Sequence, residues 1–462
     1  MPPPLDPWLS GSVALDVALA ARAPAASIAA RRARRLGELL AAARRHSSIY
    51  RRLLEGRALD TLQLADLPVA HKAALMRDFD GWVTDPDLRL DGLRGFVADR
   101  RRIAEPYLGR YAVWESSGSS GEPAIFVQDA AAMAVYDALE ALRRPLLRPL
   151  QRWLDPWSVA ERIAFVGATG GHFASTVSIE RLRRLNPALA LRLHGISFLQ
   201  PVARLVDELN ALAPTVIATY PSAAVLLAEE RIAGRLRAAP GELWTGGEDL
   251  SAAERDFVQG AFGCPVANSY GASEFLSLAF ECAQGRLHLN SDWAILEPVD
   301  AQGRPVAPGE PPATTLLTNL ANHVQPLIRY DLGDRVTVRP GGCACGSCLP
   351  VIEVQGRCED TLHLGAARSG PVSVLPLALS TMLEEGAGLF DFQLVQVGPC
   401  ELLLRTGLCG AQAEPALRRA RQVLGAFLDS QGAPGVRIRC RSGEPGRAGR
   451  SGKVARVVAS GP

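Results

Sequence analysis

Between residues 162 and 274 short apolar runs alternate with amphipathic helical stretches, and the apolar runs end in glycine-rich polar segments. Arg162–Val166 reads as a buried strand feeding Gly167-Ala168-Thr169-Gly170-Gly171-His172. Val202–Leu212 is a helix, Thr215–Thr219 the next strand, and Ser222–Ala233 the next helix. A short strand then ends in Trp244-Thr245-Gly246-Gly247-Glu248, and Ser251 with Glu254 forms a capping box that starts another helix. Pro265–Asn268 is a strand ending in Ser269-Tyr270-Gly271-Ala272-Ser273-Glu274. This alternation predicts an α/β fold with a mostly parallel sheet. Ligands gather at the carboxyl ends of such strands, so the glycine-rich endings mark the expected site.

Upstream, Trp114-Glu115-Ser116-Ser117-Gly118-Ser119-Ser120-Gly121-Glu122-Pro123 precedes the β-type run Ala124-Ile125-Phe126-Val127. Four hydroxyls and two glycines, with no bulky side chain from Ser116 to Gly121, can aim N–H and Oγ groups at an anion. A flexible Ser/Gly hairpin loop accounts for the same composition. A Walker A loop is excluded, because Gly118 and Gly121 are too close and no Gly-Lys-Ser/Thr follows.

At 462 residues the chain has room for two or three domains. A formal net charge of +2 with 48% hydrophobic residues points away from disorder and from polyanion binding. Asp16 and Arg22 interrupt the Ala-rich start, which also lacks the pattern of a signal peptide, so a cytoplasmic location is expected. The helical pattern of residues 1–60 places Leu36, Leu39, Leu40 and Ala43 on one face. Arg31, Arg32, Arg34, Arg35, Arg44 and Arg45 fall largely on the others, the pattern of a packed helix with a solvated side. Lysine occurs only at Lys72 and Lys453. Lys453 lies between a Gly/Ser-rich turn and a β-type run and is a candidate for work that needs a compact ammonium.

Residues 128–155 read as helical. From about 276 to 356 short β segments with Pro/Gly turns suggest a β subdomain, which contains Ile328-Arg329-Tyr330-Asp331-Leu332-Gly333-Asp334 and closes at Gly356-Arg357-Cys358-Glu359-Asp360. The tail is a smaller α+β unit. Phe392–Val397 and Glu401–Arg405 form a hairpin, Glu414–Phe427 a helix and Val436–Cys440 a strand, before a Gly/Arg/Ser-rich loop presents Lys453. The expected division is residues 1–356 and 357–462. Nine cysteines in a reducing compartment suggest metal before disulfide. Cys282 and His288, with Cys343, Cys345 and Cys348 further on, have spacing that suits a tetrahedral zinc site of the Cys₃His kind.

The Ser/Gly loop, the Tyr-Gly-Ala-Ser-Glu run, the Arg-Tyr-Asp-Leu-Gly-Asp run, Gly-Arg-x-x-Asp and a late Gly-Lys occur in that order. With them the chain resembles the adenylate-forming enzymes from about residue 110 onward. The branch it is most similar to is the phenylacetate–coenzyme A ligase group, which includes synthetases that adenylylate a deazaflavin coenzyme. The resemblance implies that Ser116, Ser117, Gly118, Ser119, Ser120 and Gly121 hold the β- and γ-phosphates of ATP. It places Gly246, Gly247 and Glu248 beside adenine, Tyr270 on the base with Gly271, Ala272 and Ser273 around the nucleotide, and Glu274 on Mg²⁺. Asp334 and Arg357 would hold the ribose, Asp360 would be the hinge of a mobile C-terminal domain, and Lys453 would contact the carboxylate and the α-phosphate. Within the cysteine cluster it favours Cys282, His288, Cys343 and Cys345 as structural zinc ligands, with Cys348 as the alternate to Cys343.

The implied reaction is activation of a carboxylic acid, in this branch an aromatic one, to an acyl-adenylate. Transfer to a thiol follows, either coenzyme A or the phosphopantetheine of an acyl carrier protein. An adenylyltransferase that keeps AMP on its product and a non-catalytic nucleotide-binding protein are the competing readings, and a homodimer is compatible with all three. The chain departs from the family pattern at Glu122, where a lysine is common. His172 is either a pocket residue or a structural histidine, and Tyr220-Pro221-Ser222 is a further pocket candidate.

Overall fold

The computed structural model describes residues 5–116, 123–155, 160–355, 361–365, 371–444 and 456–459. The chain begins with helices α1 (Pro7–Ala20) and α2 (Ala25–His46). Strands β1 (Ala112–Glu115) and β2 (Ile125–Gln128) then form an antiparallel hairpin. Helix α3 (Ala130–Arg143) follows, and Pro145 limits its extension, so the region read as one helix is divided before Pro149–Leu154.

The central layer alternates β3 (Ile163–Gly167), α4 (Ala174–Leu185), β4 (Leu193–Ser197), α5 (Val202–Leu212), β5 (Val216–Thr219), α6 (Pro221–Ile232), β6 (Glu242–Gly246), α7 (Ala252–Phe262) and β7 (Val266–Ala272). β8 (Phe275–Glu281) turns back on β7, and β9 (Leu287–Leu289) follows. A nine-stranded sheet has the order β13-β14-β9-β8-β7-β6-β5-β3-β4, where β13 is Arg335–Val338 and β14 is Val351–Gln355. Its β4-to-β7 side is parallel and the rest antiparallel. Between them β10 (Ala294–Val299), β11 (Thr314–Asn319) and β12 (Tyr330–Asp331) make a three-stranded sheet.

In the tail β15 (Leu362–Leu364) pairs with β16 (Val372–Val374). A four-stranded sheet then joins β17 (Gln393–Gly398), β18 (Glu401–Thr406), β19 (Arg437–Ser442) and β20 (Val457–Val458), with α8 (Ala413–Ser430) packed on it. The expected hairpin, helix and strand of the tail are all present, and the α/β class with a smaller α/β region at the C-terminal end holds. None of the described helices is long and apolar enough to cross a membrane.

Two readings need correction. Strand β4 was not anticipated, because Leu193-His194-Gly195-Ile196-Ser197 carries a histidine and a glycine within five residues and gives a weak β signal. Arg35 was assigned to the polar side of its helix but is 3% exposed. Its guanidinium lies 3.4 Å from the centroid of the Trp293 ring and donates to the Asp292 carbonyl at 2.7 Å. The Asp292 carboxylate, fully buried, also receives two bonds from Arg143, at 2.7 and 2.6 Å. This network fastens the N-terminal helices and α3 to the edge of β10.

Removing one partner of a buried ion pair strands the other charge, at a cost of about 3–5 kcal/mol. Arg143→Met should therefore lower stability to chemical denaturation by about that amount. A loss below about 1 kcal/mol would show that Arg35 alone can hold Asp292.

Candidate active site

One cavity of about 1990 Å³ includes the carboxyl ends of the parallel strands, and its wall includes Ser116, Gly246, Gly247, Glu248, Tyr270, Gly271, Ala272, Ser273, Glu274 and Asp334. Residues far apart in sequence are thus brought to one surface. From the tail, Leu377, Ser380, Thr381, Glu384 and Arg456 reach the same space. Ser117, Gly118, Ser119, Ser120, Gly121, Glu122, Arg357, Asp360 and Lys453 lie outside the described residues.

The glycines have separate local reasons. Gly247 has φ +82°, and a β-carbon there would come within 3.0 Å of the Tyr220 ring, so only glycine lets the turn after β6 press on that ring. At Gly271 a β-carbon would lie 1.9 Å from the Leu276 carbonyl oxygen, where the register between β7 and β8 shifts. The Ser-Tyr-Gly-Ala run therefore belongs to a bulged hairpin, and Ser273-Glu274 is its turn. This corrects the expectation of a loop after a strand ending at Asn268, since the run continues the β7 ladder.

The turn is held from two sides. Trp114 Nε1 donates to the Ser273 carbonyl at 2.8 Å, and Asn319 Nδ2 donates to the Glu274 carbonyl at 2.9 Å. The Glu274 side chain receives the Tyr330 hydroxyl, yet burial and the nearby Asp334 charge raise its pKa. A carboxylate in this state gains from a cation. The Tyr270 hydroxyl donates to Asp334 at 2.9 Å, so these two residues, which the resemblance assigned to the base and the ribose, form one unit. Glu248 accepts from the backbone N–H and hydroxyl of Ser222 at 2.9 and 3.0 Å, which fixes the turn to the first residues of α6.

Ser116 stands at the neck of the Ser/Gly segment. Its N–H donates to the Ala124 carbonyl, and its Oγ accepts from the Ala124 N–H at 3.0 Å. Next to it the Glu115 carboxyl is pushed up to about 7 by burial and by Glu385 and Glu384. His172 is a structural residue: it is 2% exposed, its Nε2 faces the Asp99 carbonyl at 3.1 Å, and its ring meets Phe96 edge-on. Tyr220 and Ser222 do line the cavity. Arg329 of the Arg-Tyr-Asp run serves the fold, bonding Glu297 at 3.1 Å and the Leu67 carbonyl.

Lys72 was missed. It lines the cavity, and its charge favours the ionised form of Glu274. The scarcity of lysine was the available signal, but nothing in its helical surroundings singled Lys72 out.

Away from this cavity the potential ligand atoms of Cys282, His288, Cys343 and Cys345 all lie within 4.8 Å of one another, and Cys348 is not among them. His288 Nδ1 donates to the Leu349 carbonyl at 2.9 Å, which leaves Nε2 facing Cys345 Sγ at 3.4 Å. The residues fit a closed four-ligand site, and the Leu349 carbonyl holds the His288 ring in the orientation that such a ligand needs.

Two outcomes follow from this geometry. Gly271→Ala should unfold at a temperature several degrees below the parent, because backbone rather than a mobile side chain meets the new methyl. A raised carboxyl pKa means the folded state binds its proton more tightly, so Glu115 loses stabilisation as pH rises from about 4.5 toward 7. Glu115→Gln should then gain melting temperature over the parent at pH 8 but not at pH 4.5, and equal shifts at both would place Glu115 in an ordinary solvated setting.

No protein-family model and no curated protein matches the sequence. Among solved structures, 2-hydroxyisobutyryl-CoA ligase in complex with 2-HIB-AMP and CoA in the thioesterification state aligns at 22% identity, with a TM-score of 0.56. The alignment covers 95% of this chain and 91% of that one. Its open conformation aligns at 21% identity over 93% of this chain and 91% of that one, with a TM-score of 0.52. The chain thus shares its fold with 2-hydroxyisobutyryl-CoA ligase.

Proposed function

We propose that the protein is an ATP-dependent acid–thiol ligase that forms an acyl-adenylate and passes the acyl group to coenzyme A or a carrier-protein phosphopantetheine. The observation that carries this reading is the convergence of Gly246–Glu248, Tyr270–Glu274, Asp334 and the neck of the Ser/Gly loop on one cavity that the tail also lines. The similarity to 2-hydroxyisobutyryl-CoA ligase, solved with an acyl-AMP and CoA, supports it.

In the first half-reaction a carboxylate oxygen attacks the α-phosphorus of ATP, and the bond to the departing pyrophosphate breaks. Gly246, Gly247 and Glu248 would lie beside the purine, and Asp334, oriented by Tyr270, would accept from the ribose hydroxyls. Glu274 is the residue that would hold Mg²⁺, which supplies charge neutralisation on the phosphates. Ser116 through Gly121 would cradle the β- and γ-phosphates, and Lys453, with Arg357 on the ribose, would stabilise the charge that builds on the α-phosphate. A swing about Asp360 would withdraw Lys453 and admit the thiol, whose sulfur attacks the acyl carbon and releases AMP. The Trp244 and Phe165 rings in the wall favour an acid with an aromatic or other apolar body. Cys282, His288, Cys343 and Cys345 would bind a structural zinc ion.

Incubation with ATP, Mg²⁺ and a panel of carboxylic acids, with hydroxylamine or coenzyme A as trap, tests the reading. Acid-dependent pyrophosphate with a hydroxamate or thioester and free AMP is the expected result. AMP retained on a product would support an adenylyltransferase, and ATP binding without turnover a non-catalytic protein. Lys453→Ala should slow adenylate formation about 100-fold or more while use of a preformed adenylate falls far less. Equal losses in both halves would make Lys453 structural. Purified protein should hold about one zinc per chain, and Cys345→Ser should lower that content, whereas metal-free protein of unchanged stability would remove the zinc proposal.

A further inference from the structure

The cavity is longer than a nucleotide site requires. It touches Gly246 and Gly247 at the carboxyl end of β6 but also Glu242 at its start, and it runs beside β3 from Ile163 to Ala168. A five-residue strand spans roughly 16 Å, so the space follows the full depth of the sheet. Its volume of about 1990 Å³ exceeds the roughly 300–1,000 Å³ usual for a ligand pocket.

The walls are built for apolar contact. On β3, Ala164 and Val166 are buried on one face, whereas Ile163 and Phe165 are only half-buried on the other and line the cavity. Ala218 of β5 and Trp244 of β6 do the same. Parallel sheets are ordinarily packed on both faces, so this side is held open.

Helix α4 supplies the facing wall. It buries Thr176, Val177 and Arg181, with Arg181 anchored to Asp137 of α3 at 2.9 Å. Ser175, Ser178, Ile179 and Leu182 recur at helical spacing along the cavity. An open apolar volume costs stability, which a ligand would restore. At the far end Leu142 and Leu146 are 46% and 60% exposed.

The charges along the walls are already engaged. Arg144 pairs with Glu140 and lies 4.1 Å from the centroid of the Trp244 ring; Arg148 bonds Glu242 at 3.2 Å, and Arg192 donates to the Ala188 carbonyl. Arg144 and Arg148 already face carboxylates, which leaves these two cations with little to offer a second carboxylate at the distal end of a substrate.

We propose that this channel takes the body of the acid, and that the acid is a monocarboxylate whose apolar body extends well beyond a single ring toward Leu142 and Leu146. The inference rests on the ligase reading, with the carboxylate at the Gly246–Glu248 end.

Two substitutions on separate walls, Ala218→Trp and Ile179→Trp, narrow the channel in the full chain. Acid-dependent ATP–pyrophosphate exchange is measured with benzoate and with straight-chain acids from acetate to dodecanoate. Binding of 1-pyrenebutyric acid is followed by fluorescence without ATP. The parent should favour the longer acids and bind the probe. Each variant should shift the ratio of long to short acids about tenfold or more and weaken probe binding. A parent that prefers acetate, or variants that leave both the ratio and the probe unaffected, would overturn the channel. Exchange absent with every acid, beside probe binding that both variants weaken, would defeat the ligase reading and leave the channel standing.

Discussion

The indole hydrogen bond from Trp114 to the Ser273 carbonyl joins the two parts of the chain on which the site depends. Trp114 belongs to the strand that leads into the Ser/Gly segment, and Ser273 opens the turn that presents Glu274. Asn319, at the end of β11, holds the next carbonyl of the same turn. The hairpin can reach this position only because Gly271 allows β7 to bulge against Leu276. A carboxylate is thereby fixed at the mouth of the parallel sheet, close to Asp334 and Tyr330, at a raised pKa. The energetic cost of crowding these groups is offset by the surrounding core, as is common where a scaffold prepares a charged site.

The same sheet separates two environments. One face packs against α5, α6 and α7 and shares a hydrophobic cluster with residues of the tail, including Leu362, Leu394 and Leu424. On the other face the half-buried residues of β3, β5 and β6 look into the cavity between α3 and α4. The tail also meets the rest of the chain through a polar contact, Arg100 with Glu385 at 2.9 Å, while Arg456 pairs with the buried Glu384 within the tail itself. Surface ion pairs such as Arg100–Glu385 are worth little, which suits a contact that must be remade if the tail moves.

Much of the candidate site was legible because glycine and short polar residues at strand ends mark special backbone geometry that composition reveals. Gly247 and Gly271 were found in this way, and the structure supplies the clash or positive φ behind each. The cysteine cluster was legible through spacing, but the choice between Cys343 and Cys348 needed the path of the loop. Arg35 could not be placed, since a helical pattern assigns arginine to solvent and cannot anticipate Trp293 and Asp292, more than 250 residues away, as its partners. Lys72 escaped for a related reason. Its neighbours in sequence describe an ordinary helix start, and only folding carries it to Glu274.

By itself the sequence determined most of the α/β alternation, the glycine turn after β6 and the order of the polar motifs, because each depends on short-range sterics and periodicity. The tertiary structure decided which of those residues share a surface, which charges are buried, and that one face of the sheet stays open along its whole depth. Those properties come from contacts between segments hundreds of residues apart, and local patterns carry no information about them.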